Sequence, residues 1–141
     1  MNEQSAATPP DAATRAGDGM RLFEEAYGRT IRATTADMAA SLAALLGTPL
    51  AASLIGATDP ETVASLARGA YPPREETERR LRVAYQLGQL LTLARGEAAA
   101  RAWLSSPNPS LDERTPAAIL ATEPEHAPRV MAAARALVSS A

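Results

Sequence analysis

A chain of 141 residues, 46% of them hydrophobic, has the size of one globular domain or of two small domains that share a core. The net charge of −2 gives no bulk attraction to nucleic acid or membranes, and no apolar run approaches the roughly 18 residues of a membrane span. Cysteine is absent and histidine occurs once, which excludes a disulfide framework, thiol chemistry and a histidine-based zinc site. The first residues lack a basic stretch followed by an apolar one, so we expect a cytoplasmic protein.

The residue types favour an all-α fold. The chain has 33 alanines, whereas aromatic residues make up only 4% of it. Strands are rich in β-branched and aromatic side chains, and helices that pack closely favour alanine and leucine. Residues 1–19 show no periodicity, so we expect a disordered tail there and ordered structure from Met20 onward. A short apolar cluster begins at Met20 and is expected to end at Gly28.

Sharp start and stop signals divide residues 20–73 into short helices. One helix is predicted from the capping-box-like Thr34–Asp37 to Gly47, and a short one from Thr48 to Gly56. A full capping box, Thr58 with Glu61, predicts the next helix, which ends at Gly69. Two short helices joined by a glycine-containing turn behind a third helix form a helix-turn-helix pattern. We therefore interpret residues 20–73 as a helix-turn-helix-like domain.

Residues 74–141 are predicted to form a second helical unit. Its longest helix covers about residues 74–95, because apolar side chains recur there at helical spacing. Its solvated face carries three i, i+4 pairs of predicted ion-pair partners, namely Glu75–Arg79, Glu76–Arg80 and Glu78–Arg82. Further helices are predicted over residues 97–104 and 125–138.

The segment between these last two helices has an unusual composition. Pro107 and Pro109 fix the backbone on both sides of Asn108, which predicts a rigid, non-helical turn. Thr115 followed by proline then predicts the N-cap of a new helix. The only tryptophan, Trp103, precedes the turn, and we expect it to act as a structural anchor beneath it.

We find no catalytic, cofactor-binding or metal-binding constellation. The chain contains neither a phosphate-binding glycine loop nor a His–Glu metal motif, and no nucleophile has an evident base. The sequence therefore favours a binding protein over an enzyme.

DNA binding is the first alternative to weigh. Base-edge or phosphate contacts would come from the second helix of the motif and the arginines near it, and the candidates are Thr58, Thr62, Ser65, Arg68 and Arg74. That helix also carries acidic residues, and phosphate neutralisation dominates affinity for DNA, so a single module would bind weakly. Operator binding and a role restricted to packing or dimerisation both remain open.

Two stretches of the chain resemble a known family. The pattern W-L-x-x-P-N-P-x-L-x-x-x-T-P-x-x-I-L over residues 103–120 resembles the C-terminal toxin-binding domain of the Xre/MbcA/ParS antitoxins. Residues 62–69 are similar to the recognition helix of the Xre type of helix-turn-helix, with Leu66 where a tryptophan often stands. The resemblance implies an all-helical homodimer that inhibits a toxin of the RES-domain kind, which consumes NAD or transfers ADP-ribose. It also implies that the C-terminal part blocks the toxin's active site, and that the helix-turn-helix binds the promoter of the operon.

The residues that contact the toxin are expected among the polar side chains of the C-terminal part. On charge and expected exposure the candidates are Asn108, Arg114, Arg129 and Arg135. Two other functions stay open beside the antitoxin. One is a transcriptional repressor without a toxin partner, and the other is a helical adapter that binds an unrelated protein.

Overall fold

The computed structural model describes the backbone of residues 12–140 and the side chains of residues 17–140. Within this part the chain forms helices and no strand, which confirms the predicted all-α class. The α-helices are α1 (Ala12–Arg32), α2 (Thr35–Leu46), α3 (Thr48–Leu54), α4 (Glu61–Ala67), α5 (Glu75–Arg95), α6 (Glu97–Ser105), α7 (Pro116–Thr122) and α8 (Ala127–Val138). Single 3-10 turns precede α7 and α8, at Pro109–Leu111 and Pro124–His126. None of the helices described has both the length and the apolarity needed to cross a bilayer.

The first helix differs from the sequence prediction at both of its ends. It begins at Ala12, so it includes residues that we expected in the tail, while residues 1–11 lie outside the described part. It also runs through Gly28 to Arg32, because its inner face is covered by α5. Ala26 and Thr30 are buried on that face, and Arg29 donates a hydrogen bond to Gln89 Oε1 at 2.8 Å. Packing between helices thus outweighs the low helix propensity of Gly28.

Two of the predicted helix starts are confirmed by their capping bonds. The Thr34 hydroxyl accepts from the Asp37 backbone N–H at 3.0 Å, and the Asp37 carboxylate accepts from the Thr34 N–H at 3.3 Å. The Thr115 hydroxyl accepts from the Ala118 N–H at 3.1 Å, directly before Pro116. These short-range bonds satisfy donors that a helix start leaves free.

The predicted capping box of Thr58 with Glu61 is wrong. The helix α4 begins only at Glu61, and Pro60 occupies its N-cap position with no side-chain cap. The Asp59 carboxylate accepts from the Glu61 N–H at 3.0 Å instead. Proline disfavours a helical backbone at the residue before it, here Asp59, so the helix starts after Asp59 and beyond the reach of Thr58.

The long helix α5 is the central element of the fold. It packs against α1, α2 and α3, which precede it in the chain, and against α6 and α8, which follow it. Its buried leucines belong to one continuous core that includes residues from every α-helix. Gly88 is buried on α5, and a Cβ placed there would lie 3.1 Å from the Leu45 side chain of α2, so the two helices approach closely. The two sequence units therefore share one core.

Candidate protein-interaction site

Residues 106–116, here called the corner segment, join α6 to α7 in a closed turn. The residues that precede Pro107 and Pro109 are extended as predicted, with φ values of −112° at Ser106 and −126° at Asn108. The Asn108 N–H donates to the Arg114 carbonyl at 3.1 Å, while the Asn108 carbonyl accepts from the N–H groups of Leu111 and Glu113, each at 2.9 Å. The Asn108 side chain also accepts from the Ser110 N–H at 2.8 Å. One asparagine thus closes the turn from both its backbone and its side chain.

Two consecutive residues of the corner segment have a left-handed backbone. Asp112 has a φ of 58° and Glu113 a φ of 64°, and they are the only non-glycine residues with positive φ in the described part. Side chains disfavour this conformation, at a cost of roughly 1–2 kcal/mol per residue. The hydrogen bonds to Asn108 hold the strained pair in place, which presents both carboxylates to solvent. No local pattern predicts this strain, because neither position is a glycine.

The corner segment is fixed to the core by Leu111, which is buried and which the sequence analysis did not single out. Trp103, the expected anchor, is half-buried and packs against the same core. One side of its ring borders a groove of about 340 Å³ whose other walls include Pro107, Asn108 and Leu137. Trp103 is thus both a packing residue and part of an accessible surface.

A small charge cluster ties the end of the corner segment to the turn before α8. Arg114 donates to the Glu123 carboxylate at 2.7 Å, and the His126 Nδ1 lies 2.9 Å from the other oxygen of the same group. The hydrogen bond from Arg114, followed by that from His126, lowers the pKa of Glu123 despite an opposing contribution from burial. Glu123 therefore stays ionised and bridges the two segments at neutral pH.

The structure brings three of the four toxin-binding candidates together. Asn108 and Arg114 pair with each other across the corner segment, and Arg129 of α8 contacts the Asp112 carboxylate at 3.4 Å. Arg135 lies apart, since it is six residues further along α8 and its guanidinium stacks 4.0 Å from the centre of the Phe23 ring on α1. Asn108, Arg114 and Arg129 thus form one surface, hereafter the corner surface, and Arg135 does not belong to it.

The DNA-binding candidates are dispersed around α4. Thr58 is exposed in the loop before the helix, while Thr62 and Ser65 are half-buried on it. Arg68 is exposed but pairs with Glu61 at 3.1 Å and with the Ser65 hydroxyl at 3.3 Å. Arg74 is the exposed N-cap residue of α5. The acidic Glu61 of α4 thus pairs with Arg68, one of the few cations of this region.

Arg80 forms a junction that the sequence analysis missed, because it was assigned to a solvated ion pair with Glu76. That predicted pair is wrong, since Glu76 pairs with Arg79, although the predicted pairs Glu75–Arg79, at 3.7 Å, and Glu78–Arg82, at 2.8 Å, do form. Arg80 donates to the Leu54 carbonyl at 3.2 Å and to the carbonyls of Leu120 and Ala121 at 2.7 and 3.1 Å.

These carbonyls lie at the C-terminal ends of α3 and α7, where a helix dipole favours a positive charge. The half-buried Arg80 therefore links the two sequence units. Its partners are 26, 40 and 41 residues away along the chain, so no local pattern reveals them.

Beside this junction a cleft of about 390 Å³ opens between α5 and the turn that precedes α8. Its floor is apolar, with Leu54, Val83 and Leu120, and its rim carries Glu76 and Glu125. No group of three histidine, aspartate or glutamate side chains in the described residues is arranged to hold a metal ion.

Comparison with known proteins gives one match. Residues 89–133 match the family model described as the antitoxin Xre/MbcA/ParS C-terminal toxin-binding domain. This range begins within α5 and ends within α8, so it contains α6, the corner segment and α7. No curated protein and no solved structure matches the chain.

Proposed function

Because residues 89–133 match the toxin-binding domain of the Xre/MbcA/ParS antitoxins, we propose that this chain is the antitoxin of a type II pair and neutralises a RES-domain toxin. The observation that carries the proposal is the position of the corner segment, which lies entirely inside the matched range. The family match supports an antitoxin role in general. The RES identity of the toxin rests on the resemblance of residues 103–120 described above.

The corner surface fits the role of a rigid plug. Its backbone is closed by Asn108 and held down by Leu111, so little conformational entropy is lost when a partner binds it. Arg114 and Arg129 are held by carboxylates, at 2.7 and 3.4 Å, and a partner that offers its own acceptors can replace these contacts. We propose that this surface covers the entrance of the toxin's NAD-binding site and blocks it sterically.

Co-expression with the product of the neighbouring RES-type gene tests this proposal. We expect the toxin alone to arrest growth and to lower cellular NAD, the full chain to restore both, and the two proteins to co-purify. A chain with the corner substitution Arg129→Ala is the partial-loss variant, and Arg68→Ala is its control outside the matched range. Absence of both a complex and growth rescue would refute the antitoxin role and favour a helical adapter for another protein.

We propose operator binding and homodimerisation as further parts of this function. In support of operator binding, α2, α3 and α4 pack against one another as a three-helix unit, and Thr58, Arg68 and Arg74 are exposed on the segments that flank α4. A dimer would double the few phosphate contacts that one such module provides. Titration of the upstream DNA at rising salt tests this part, and a repressor without a toxin would bind DNA while failing the co-expression assay.

A further inference from the structure

The outer face of α1 carries an apolar stripe that nothing in the described residues covers. Met20, Tyr27 and Ile31 are 56%, 52% and 61% exposed, which is high for large hydrophobic side chains. A second face of the same helix already buries Ala26 and Thr30 against α5. The helix is therefore apolar on two faces, of which only one serves the core of this chain, and an exposed apolar patch of this kind marks an interface.

The spacing along this face is that of a helix–helix seam. Residues 20, 24, 27 and 31 follow one another at intervals of four, three and four, which is the alternation of the two core positions of a heptad. The member that is not apolar is Glu24, whose exposed carboxylate has no ion-pair partner among the residues that the structure describes. We call Met20, Glu24, Tyr27 and Ile31 the α1 stripe.

We propose that the α1 stripe is the contact between two copies of this chain, which associate with their α1 helices antiparallel. The intervals of the stripe read the same in both directions, as a two-fold symmetric interface requires. This inference rests on the homodimer of the proposed function and adds its surface and orientation. It does not depend on the toxin or on DNA.

The polar member of the stripe selects the orientation. In the antiparallel arrangement Met20 faces Ile31 of the second copy, and Glu24 faces Tyr27, so the Tyr27 hydroxyl donates to the Glu24 carboxylate twice in each dimer. In a parallel arrangement each layer pairs a residue with itself, so that Glu24 meets a second Glu24 and like charges repel. Helix α1 has 21 residues and is roughly 30 Å long, so the antiparallel pair overlaps over the whole stripe.

Disulfide trapping tests both the surface and the orientation, because the chain contains no cysteine of its own. Three single variants are prepared in the full chain: Met20→Cys, Ile31→Cys and the off-stripe control Arg32→Cys. Each variant is treated with oxidised glutathione, first by itself and then in an equimolar mixture with each of the other two variants. The amount of cross-linked dimer is measured on a non-reducing gel. Antiparallel helices place positions 20 and 31 in contact but separate the two copies of position 20 by roughly 16 Å, far beyond the reach of a disulfide.

We expect cross-linked dimer only in the mixture of Met20→Cys with Ile31→Cys. The double variant with Met20→Lys and Ile31→Lys should raise the dimer dissociation constant of the otherwise native chain at least about tenfold, because both apolar layers acquire a charge. Circular dichroism verifies that these exposed substitutions leave the helices intact.

Each contrary result overturns the inference and locates the error. Cross-linking of Met20→Cys with itself would show parallel helices, and a dimer that none of these variants traps or weakens would place the contact on another surface. A wild-type chain that sediments as a monomer would refute the homodimer itself, and co-expression with the toxin would still decide the antitoxin role separately.

Discussion

The guanidinium of Arg80 fills the space beside Gly56 in which a side chain would begin, so that a Cβ built on Gly56 would overlap the Nη1 atom. Gly56 has a φ of 78°, directly after the C-terminal end of α3 to which Arg80 donates. The two residues depend on each other: the glycine admits the arginine, and the arginine satisfies the carbonyls that end two helices.

Removing the Arg80 side chain should destabilise the protein strongly. In Arg80→Met the aliphatic stem remains, but the carbonyls of Leu54, Leu120 and Ala121 lose their charged donor. We expect the free energy of unfolding to fall by about 2–4 kcal/mol in urea denaturation. The matched control is Arg79→Met on the exposed side of the same helix, which breaks only surface pairs and should cost less than about 1 kcal/mol.

A methyl group at Gly56 should be more harmful than one at another glycine of similar backbone. Gly56→Ala introduces a left-handed alanine and a clash with Arg80, whereas Gly69→Ala, at a φ of 71°, meets no atom within 4 Å. We expect Gly69→Ala to cost about 1–2 kcal/mol from the backbone alone and Gly56→Ala to cost at least about 1 kcal/mol more in the same denaturation assay. If the two cost the same, the close contact with Arg80 has no energetic weight.

Releasing the strain at the corner segment should stabilise the chain. Glu113→Gly replaces a residue with a φ of 64° by one that adopts this conformation freely, and the Glu113 side chain forms no ion pair or hydrogen bond among the described residues. We expect the free energy of unfolding to rise by about 0.5–1 kcal/mol, since the relief of strain exceeds the entropy cost of glycine. Glu113→Ala removes the same charge but keeps the strain, so a gain in that variant would contradict this explanation.

The Glu123 cluster should make the protein sensitive to acid. Arg114 and His126 hold the pKa of Glu123 below its ordinary value of 4.5, so its stabilising contribution is complete above that value and is lost as the pH falls through the lower, folded-state pKa. In Glu123→Gln the decline of thermal stability below about pH 5 should therefore be shallower than in the wild type. Glu125→Gln is the control, because Glu125 is exposed and pairs with no described residue. An unchanged acid profile in Glu123→Gln would show that the cluster has no role in stability.

Two arginines offer a test that separates toxin binding from DNA binding. Arg68 and Arg129 are both exposed, and each pairs with a single carboxylate, at 3.1 and 3.4 Å. We expect Arg129→Ala to weaken the toxin complex about tenfold or more in calorimetry and to leave operator binding unchanged, because it removes a cation from the corner surface. Arg68→Ala should do the reverse and reduce the salt dependence of DNA binding by about one phosphate contact. If both variants behave alike in both assays, the assignment of these surfaces is wrong.

Local chemistry made part of this structure predictable. Thr34 and Thr115 mark helix starts because their hydroxyls bond to donors only three residues away. Pro107 and Pro109 fix the extended residues before them in the same way, by short-range sterics. The family resemblance of the C-terminal part was also readable, because it depends on such local signals.

The features that depend on distant partners were not predictable. Arg80 has a carboxylate at helical spacing on its own helix, and only the folded chain shows that carbonyls from two other helices bind it instead. Likewise the local pattern predicts an end at Gly28, whereas the contact with α5 stabilises the helix as far as Arg32. At Thr58 the competing effect is local, because Pro60 lies inside the capping motif and delays the helix start.

The shared helix α5 has a consequence for how such a protein can be divided or recombined. The matched range starts at residue 89, next to Gly88 and its close approach to Leu45, so a fragment cut at that point loses two thirds of the 21-residue helix α5 that supports it. A chimera that exchanges toxin specificity with a relative must therefore exchange the whole surface around α5 or preserve every residue that faces it. Specificity is modular along the gene, whereas folding is cooperative across both halves.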